Sequence, residues 1–191
     1  ILDGILNEKV WEIADKADDF WQQFPSDSVK ATDKTEVKLL YNNTHLYIGV
    51  TAYTIGENYT INSLRRDYSA RNNDNVTIEF ETFNDGQNAF LFGVNAFGVQ
   101  REGLISERGV DIRGFNLTWD TKWKSASKHL DNKYVIEYAI PFSSIKYPEN
   151  SKSWGFQAYR YDFQSNERSI WTNVVQGLFP THIGFFGEMI F

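Results

Sequence analysis

The stretch "NVTIEFETFNDGQNAFLFGVN" (residues 75–95) decides the fold. Val76, Ile78 and Phe80 alternate with Thr77, Glu79 and Glu81, the two-residue period of a strand with one face in a core. Asn84-Asp85-Gly86 supplies a turn, because these residue types tolerate the left-handed backbone that tight hairpins need. Phe90, Phe92 and Val94 answer on the return strand. One apolar and one polar face describe a sheet of a β-sandwich, with the polar face towards water.

The same signal recurs on either side. "TEVKLLYNNTHLYIGVTAY" (35–53) reads as two strands around Asn42-Asn43. "TWDTKWKSASKHLDNKYVIEYAIPFSSI" (118–145) contains another hairpin around Asp131-Asn132-Lys133; Pro141 ends its second strand and "FSSI" forms a single helical turn. "WGFQAYRYDF" (154–163) and "HIGFFGEMIF" (182–191) supply two more strands. Asn7 caps a predicted helix over residues 8–16, with Val10, Trp11 and Ala14 as its inward stripe. Residues 98–116 are rich in Gly and Arg, lack a period and read as a long functional loop. The expectation is one domain over residues 1–191. Its fold class is all-β: a two-sheet antiparallel β-sandwich of jelly-roll or immunoglobulin-like kind, with one short N-terminal helix.

Composition bounds the function. A chain of 191 residues with 41% hydrophobic residues can bury a core without staples. A net charge of −6 and no basic stripe exclude a nucleic-acid partner. No apolar run is long enough for a transmembrane helix. The absence of cysteine removes disulfides, thiolate zinc sites and Cys nucleophiles together. His45, His129 and His182 form no ligand pair. Glu79 and Glu81 share a strand face, as an acid–base pair would, but alternating carboxylates are ordinary on a solvent face. The chain therefore reads as non-catalytic.

Trp119 and Trp123 sit four apart and share a strand face, which points to packing rather than an exposed platform. Arg160 alternates onto the apolar face of Phe156 and Ala158 and so demands a carboxylate, for which Glu137 and Glu167 are the candidates. With Arg65, Arg66, Asp67, Arg101 and Glu102 it forms a group of charges that reads as structural ion pairs first and as a ligand clamp second.

"LDGILNEKVW" (2–11), "VKLLYNNTHLYIGVTAY" (37–53), "NDNVTIEFET" (73–82), "YVIEYAIPFSSI" (134–145) and "WGFQAYRYD" (154–162) follow one another over nearly the whole chain. In that order they resemble the family 9 carbohydrate-binding modules, β-sandwiches appended to xylanases and related surface proteins. "LRRDYSARNNDN" (64–75), "GVNAFGVQREG" (93–103), "WDTKWKS" (119–125) and "IPFSSIKY" (140–147) resemble more closely the N-terminal domain of large bacterial outer-membrane proteins of unassigned function. That resemblance implies an exported chain, in the periplasm or at the outer-membrane or cell surface. It also implies that Ile1 and Phe191 are cut edges of a longer protein, whose remainder, a membrane barrel, is a partner of this segment.

The resemblance further implies a glycan as partner and a site for it. In binding members a Trp stacks on the sugar three residues before the strand Asp, a place held here by Arg71. The strand Glu falls at Thr77, the partner-strand Arg at Gly93, and the Asn two residues later is kept as Asn95. A Gln falls at Tyr159, and the second stacking Trp is answered by Trp171, displaced by several residues. A site centred on Asn95 and Tyr159, with Thr77 beside them and Arg71, Tyr161 and Trp171 at the rim, is the expectation. Structural calcium, common in the resembled family, would be held by the hard oxygens of Asp15, Asp18 and Asp19; no other cofactor is implied. The rival reading is a protein-docking sandwich whose corresponding face is an apolar patch or is plugged by the 98–116 loop.

Overall fold

The computed structural model describes residues 1–191. Its strands are β1 (Asp15–Ala17), β2 (Trp21–Phe24), β3 (Thr35–Tyr41), β4 (His45–Tyr53), β5 (Asn75–Glu81), β6 (Ala89–Asn95) and β7 (Gln100–Ile105), followed by β8 (Phe115–Asn116), β9 (Lys124–Leu130), β10 (Lys133–Pro141), β11 (Ser153–Asp162), β12 (Glu167–Ile170) and β13 (Gly187–Ile190). A five-stranded sheet runs β1-β3-β4-β10-β9. An eight-stranded sheet runs β2-β12-β11-β5-β6-β7-β8, with β13 pairing a free stretch of β11. All pairings are antiparallel. The two-sheet sandwich expected from the alternation is the observed architecture.

The turns form where their residues allow. Asn84 and Gly86 take positive φ between β5 and β6, and the Asp85 carboxylate accepts from the Gln87 and Asn88 amides. The Asn42 side chain accepts from the Thr44 and His45 amides, closing the β3–β4 turn. Inner faces then meet as the period dictates. Ile78, Phe92 and Ala158 lie side by side in the larger sheet and pack with Ile48, Val50, Ile136 and Tyr138 of the smaller. The Tyr138 hydroxyl donates to the Val76 carbonyl at 3.0 Å, tying the layers together. Trp123 is in the core, stacked on Tyr138, and Trp119 packs on Phe90 and Phe92, so both serve packing.

Two elements differ from expectation. The N-terminal helix is only a 3-10 turn over Lys9–Glu12, and Asp15–Ala17 is an edge strand paired with β3. The helical stripe is incomplete: Trp11 is buried against Gly49, whereas Val10 and Ile13 face solvent, so nothing holds a second turn. Residues 98–116 are not one loop either, since β7 runs through them. Its charged residues disguise it: Arg101 and Glu102 are both buried, on opposite faces.

Arg160 is inward and only 1% exposed, as its alternation required. Its partner, however, is Asp162 at 2.5 Å, not Glu137 or Glu167. Glu137 instead accepts the Asp3 and Gly4 amides, and Glu167 accepts from Gln22 and the Thr32 amide. Removing one member of a buried pair leaves the other charge uncompensated. Asp162→Asn should therefore destabilise the chain by about 3–5 kcal/mol in urea unfolding, whereas Asp18→Asn, in the exposed pair with Lys16, should cost under about 1 kcal/mol.

Candidate functional site

The polar face of the 75–95 hairpin does not face water. Every residue of β5 is buried, so the larger sheet is covered on both sides. The outer cover is chain between β12 and β13 together with the segment before β8. Ile183 and Phe186 pack with Leu91, Ile105 and Phe115, while Val174 and Phe185 pack with Ile170 and Tyr159. Polar clamps hold the cover down. The Gln157 carboxamide donates to the Thr172 hydroxyl and accepts the Thr172 amide, and the Thr181 hydroxyl donates to the Gly109 carbonyl at 3.1 Å.

Beside this cover the face opens into a cleft of about 700 Å³. Antiparallel register lays its floor as one row across four strands: Tyr159 of β11, Thr77 of β5, Gly93 of β6 and Arg101 of β7. Gly93 makes the row possible, because a Cβ there would lie 2.7 Å from Arg101 Cγ. The Arg101 side chain thus lies flat over a strand that carries no side chain at that point. Tyr161 and Arg168 extend the floor, the guanidinium 5.6 Å from the Tyr161 ring centroid. Asp67–Arg71, Ile112, Phe115, Leu117 and the segment 177–181 form the walls.

Of the residues expected from the sequence, Arg71, Tyr159 and Tyr161 line this cleft. Thr77 lies beneath it, fully buried, with its hydroxyl donating to Asn75 Oδ1. Asn95 is also fully buried; its carboxamide accepts the Phe97 and Val99 amides and so builds the β6–β7 turn. Trp171 points the other way, against Phe156 in the core. The structure adds Arg101, Arg168, Tyr68 and Phe179, which the sequence does not flag as one set because they come from separate elements. The pairing of Gly93 with an arginine across the next strand was the one available signal.

Beside the floor, on the same face of β5 as Thr77, sits Glu79, wholly buried, with no hydrogen-bond partner on either carboxyl oxygen. Burial pushes its carboxyl well above the usual carboxylate range, and the nearby Arg101 charge offsets that only partly. Burial likewise raises the Tyr159 and Tyr68 phenols. The Glu81 carboxylate accepts the Gly86 amide in the neighbouring turn. Neither Glu lines the cleft. What the cleft offers is aromatic ring surface with guanidinium groups beside it.

Residues 1–176 match the model of the family described as carbohydrate family 9 binding domain-like. The chain belongs to this family. It is a family of non-catalytic binding modules. A family 9 module from Caldicellulosiruptor kristjanssonii, solved with cellotriose, is similar at 18% identity and a TM-score of 0.64, covering 100% of this chain and 88% of that one. The corresponding glucose complex gives 18%, 0.63, 100% and 90%. A candidate carbohydrate-binding protein from Bacteroides uniformis gives 9% identity and a TM-score of 0.71 over 93% of this chain and 86% of that one. At these identities the likeness is one of fold. Among curated proteins none matches the chain.

The calcium ligands expected by resemblance to family 9 do not come together. Asp18 pairs with Lys16 at 2.7 Å, the Asp19 carbonyl accepts the Lys30 ammonium, and no three acidic or histidine side chains are grouped to hold a metal ion.

Glu79 carries a pH signature. Its folded-state affinity for a proton exceeds that of the unfolded chain, so the native state binds more protons and stability falls as pH rises above the ordinary glutamate range. Glu79→Gln should match the parent in Tm near pH 4 and exceed it increasingly towards pH 7, each kcal/mol appearing as roughly 2–4 °C. Thermal unfolding of both chains across that range measures the gap; a constant gap would mean that Glu79 is not the titrating group.

Proposed function

We propose that the chain is a non-catalytic carbohydrate-binding module that seats a glycan in the cleft over Tyr159 and Tyr161. The observation that carries this reading is the floor itself. A sugar ring needs a flat apolar surface for its C–H face and fixed donors for its hydroxyls. The half-buried Tyr161 ring, with the buried Tyr159 ring edge-on to it at 6.0 Å and an interplanar angle of 81°, supplies the first, and the guanidinium groups of Arg71, Arg101 and Arg168 supply the second. The cleft volume lies within the range of small-molecule sites. Family membership and the sugars bound by the Caldicellulosiruptor modules support the reading.

Relative to the site implied by the resemblance, the donors are rearranged. The arginine expected at Gly93 is replaced by Arg101, which reaches the same spot from the adjacent strand. Aromatic surface comes from the sheet instead of from tryptophans at the rim, since position 71 is held by Arg71 and Trp171, half-buried, packs against the core on the other side. The same resemblance supports placing the module in an exported bacterial surface or outer-membrane protein with further chain beyond this segment.

The docking alternative has one observation in its favour: much of the outer face is indeed plugged. The plug is continuous chain of this protein, however: it packs against Tyr159 and leaves the cleft open beside Tyr161, Arg168 and Arg71. Calorimetric titration with neutral and acidic mono- and oligosaccharides separates the two readings. Binding that Tyr161→Ala weakens about tenfold or more supports the sugar site, and Gly93→Ala should weaken it too by displacing Arg101. A folded chain that binds none of these sugars leaves the docking reading.

A further inference from the structure

We infer that the cleft takes an acidic saccharide, one whose carboxylate, sulfate or phosphate group is held by Arg101 with Arg71 and Arg168. The inference rests on the reading of the cleft as a glycan site and names the class of glycan.

The chain is acidic overall, with 25 acidic and 19 basic residues, yet three arginines converge on one cleft. None of the three makes an ion pair. Arg101 is only 5% exposed and its Nε has no hydrogen-bond partner. Its guanidinium carbon stands 5.9 Å from the Tyr68 ring centroid. Arg168 uses Nε on Gln23 at 2.6 Å and Nη1 on the Tyr161 hydroxyl at 3.4 Å, both neutral partners. Arg71 stands at the rim, 5.6 Å from the Phe179 ring centroid.

Two other arginines of the chain supply the contrast. Arg160, equally buried, has Asp162 at 2.5 Å, and Arg66 has the buried Glu102 carboxylate. A desolvated guanidinium normally has such a partner, because its planar fork is expensive to bury alone and matches an oxyanion in two parallel bonds. Arg101 has none. Glu79, on the same face of the sheet, forms no hydrogen bond or ion pair with it. The carboxylate that lines the cleft, Asp67, is turned to the backbone, with Oδ1 accepting the Glu102 amide at 3.4 Å. The missing partner is therefore one the ligand brings.

A neutral sugar would bring no charge to the buried guanidinium of Arg101. An acidic sugar uses both halves of the site: its ring lies against Tyr161 while its anionic group faces the guanidinium groups.

The test is calorimetry on the whole chain with oligosaccharides of galacturonic and glucuronic acid, their methyl esters, the matching galactose and glucose oligosaccharides, and 6-sulfated and 6-phosphorylated sugars as separate arms. The ester keeps the ring and removes the charge. The acid is expected to bind about tenfold or more tightly than its ester, with affinity falling as salt rises. Arg101→Gln and Arg71→Gln should remove that margin while leaving the fold intact by circular dichroism; Arg71 is exposed, so its substitution keeps the test informative even if the buried one unfolds the chain. Whichever anionic arm binds best identifies the acid group. Esters and neutral sugars bound as tightly as the acids would overturn the inference and leave the glycan reading standing. No binding of any sugar by the folded chain overturns both.

Discussion

The rest of the structure depends on the burial of β5 and its neighbours on both faces. One face is closed by the smaller sheet through ordinary aliphatic and aromatic packing. The other is closed by chain that leaves the ladder after β12 and returns as β13, fastened by the double hydrogen bond between Gln157 and Thr172. Without that fastening, Glu79 would be solvated and Leu91 and Ile105 exposed, and the cleft would lose a wall. A sheet covered on both sides is usual for parallel α/β folds. Here an antiparallel sheet reaches the same condition with loops in place of helices.

Alternation in residues 75–95 located β5 and β6 and assigned their side chains correctly to two faces. It could not say that the second face is covered, because the residues that cover it lie far along the chain and carry no period of their own. Thr77, Glu79 and Glu81 were therefore expected in water and are found under protein. The same limit hid β7, whose Arg101-Glu102 pair looks like a solvated stretch until each charge finds its own face. At the N-terminus the reverse error occurs: Val10, Trp11 and Ala14 show helical spacing, but a single buried Trp does not support a helix.

The site was legible only in part. Arg71, Tyr159 and Tyr161 line the cleft. Asn95 and Trp171 have the residue types of a sugar contact but serve other ends, one in a turn and one packed half-buried against the core. Arg101 could be found only by asking which side chain fills the space above Gly93, a question about register and not about composition. Arg160 makes the same point: its need for a carboxylate was plain, but the partner sits two residues away on its own strand.

Asn95 touches no part of the cleft, yet it governs what the cleft contains. By accepting the Phe97 and Val99 amides it fixes the length of the β6–β7 turn, and the turn fixes which residue of β7 stands opposite Gly93. Strand faces alternate, so inserting or deleting one residue in that turn would exchange Arg101 for Gln100 or Glu102 above Gly93. In this fold a single indel in a short turn can erase or invert the polarity of the cleft while every strand remains in place. Relatives with the same sandwich can thus diverge in ligand charge without a single substitution among the residues that line the floor.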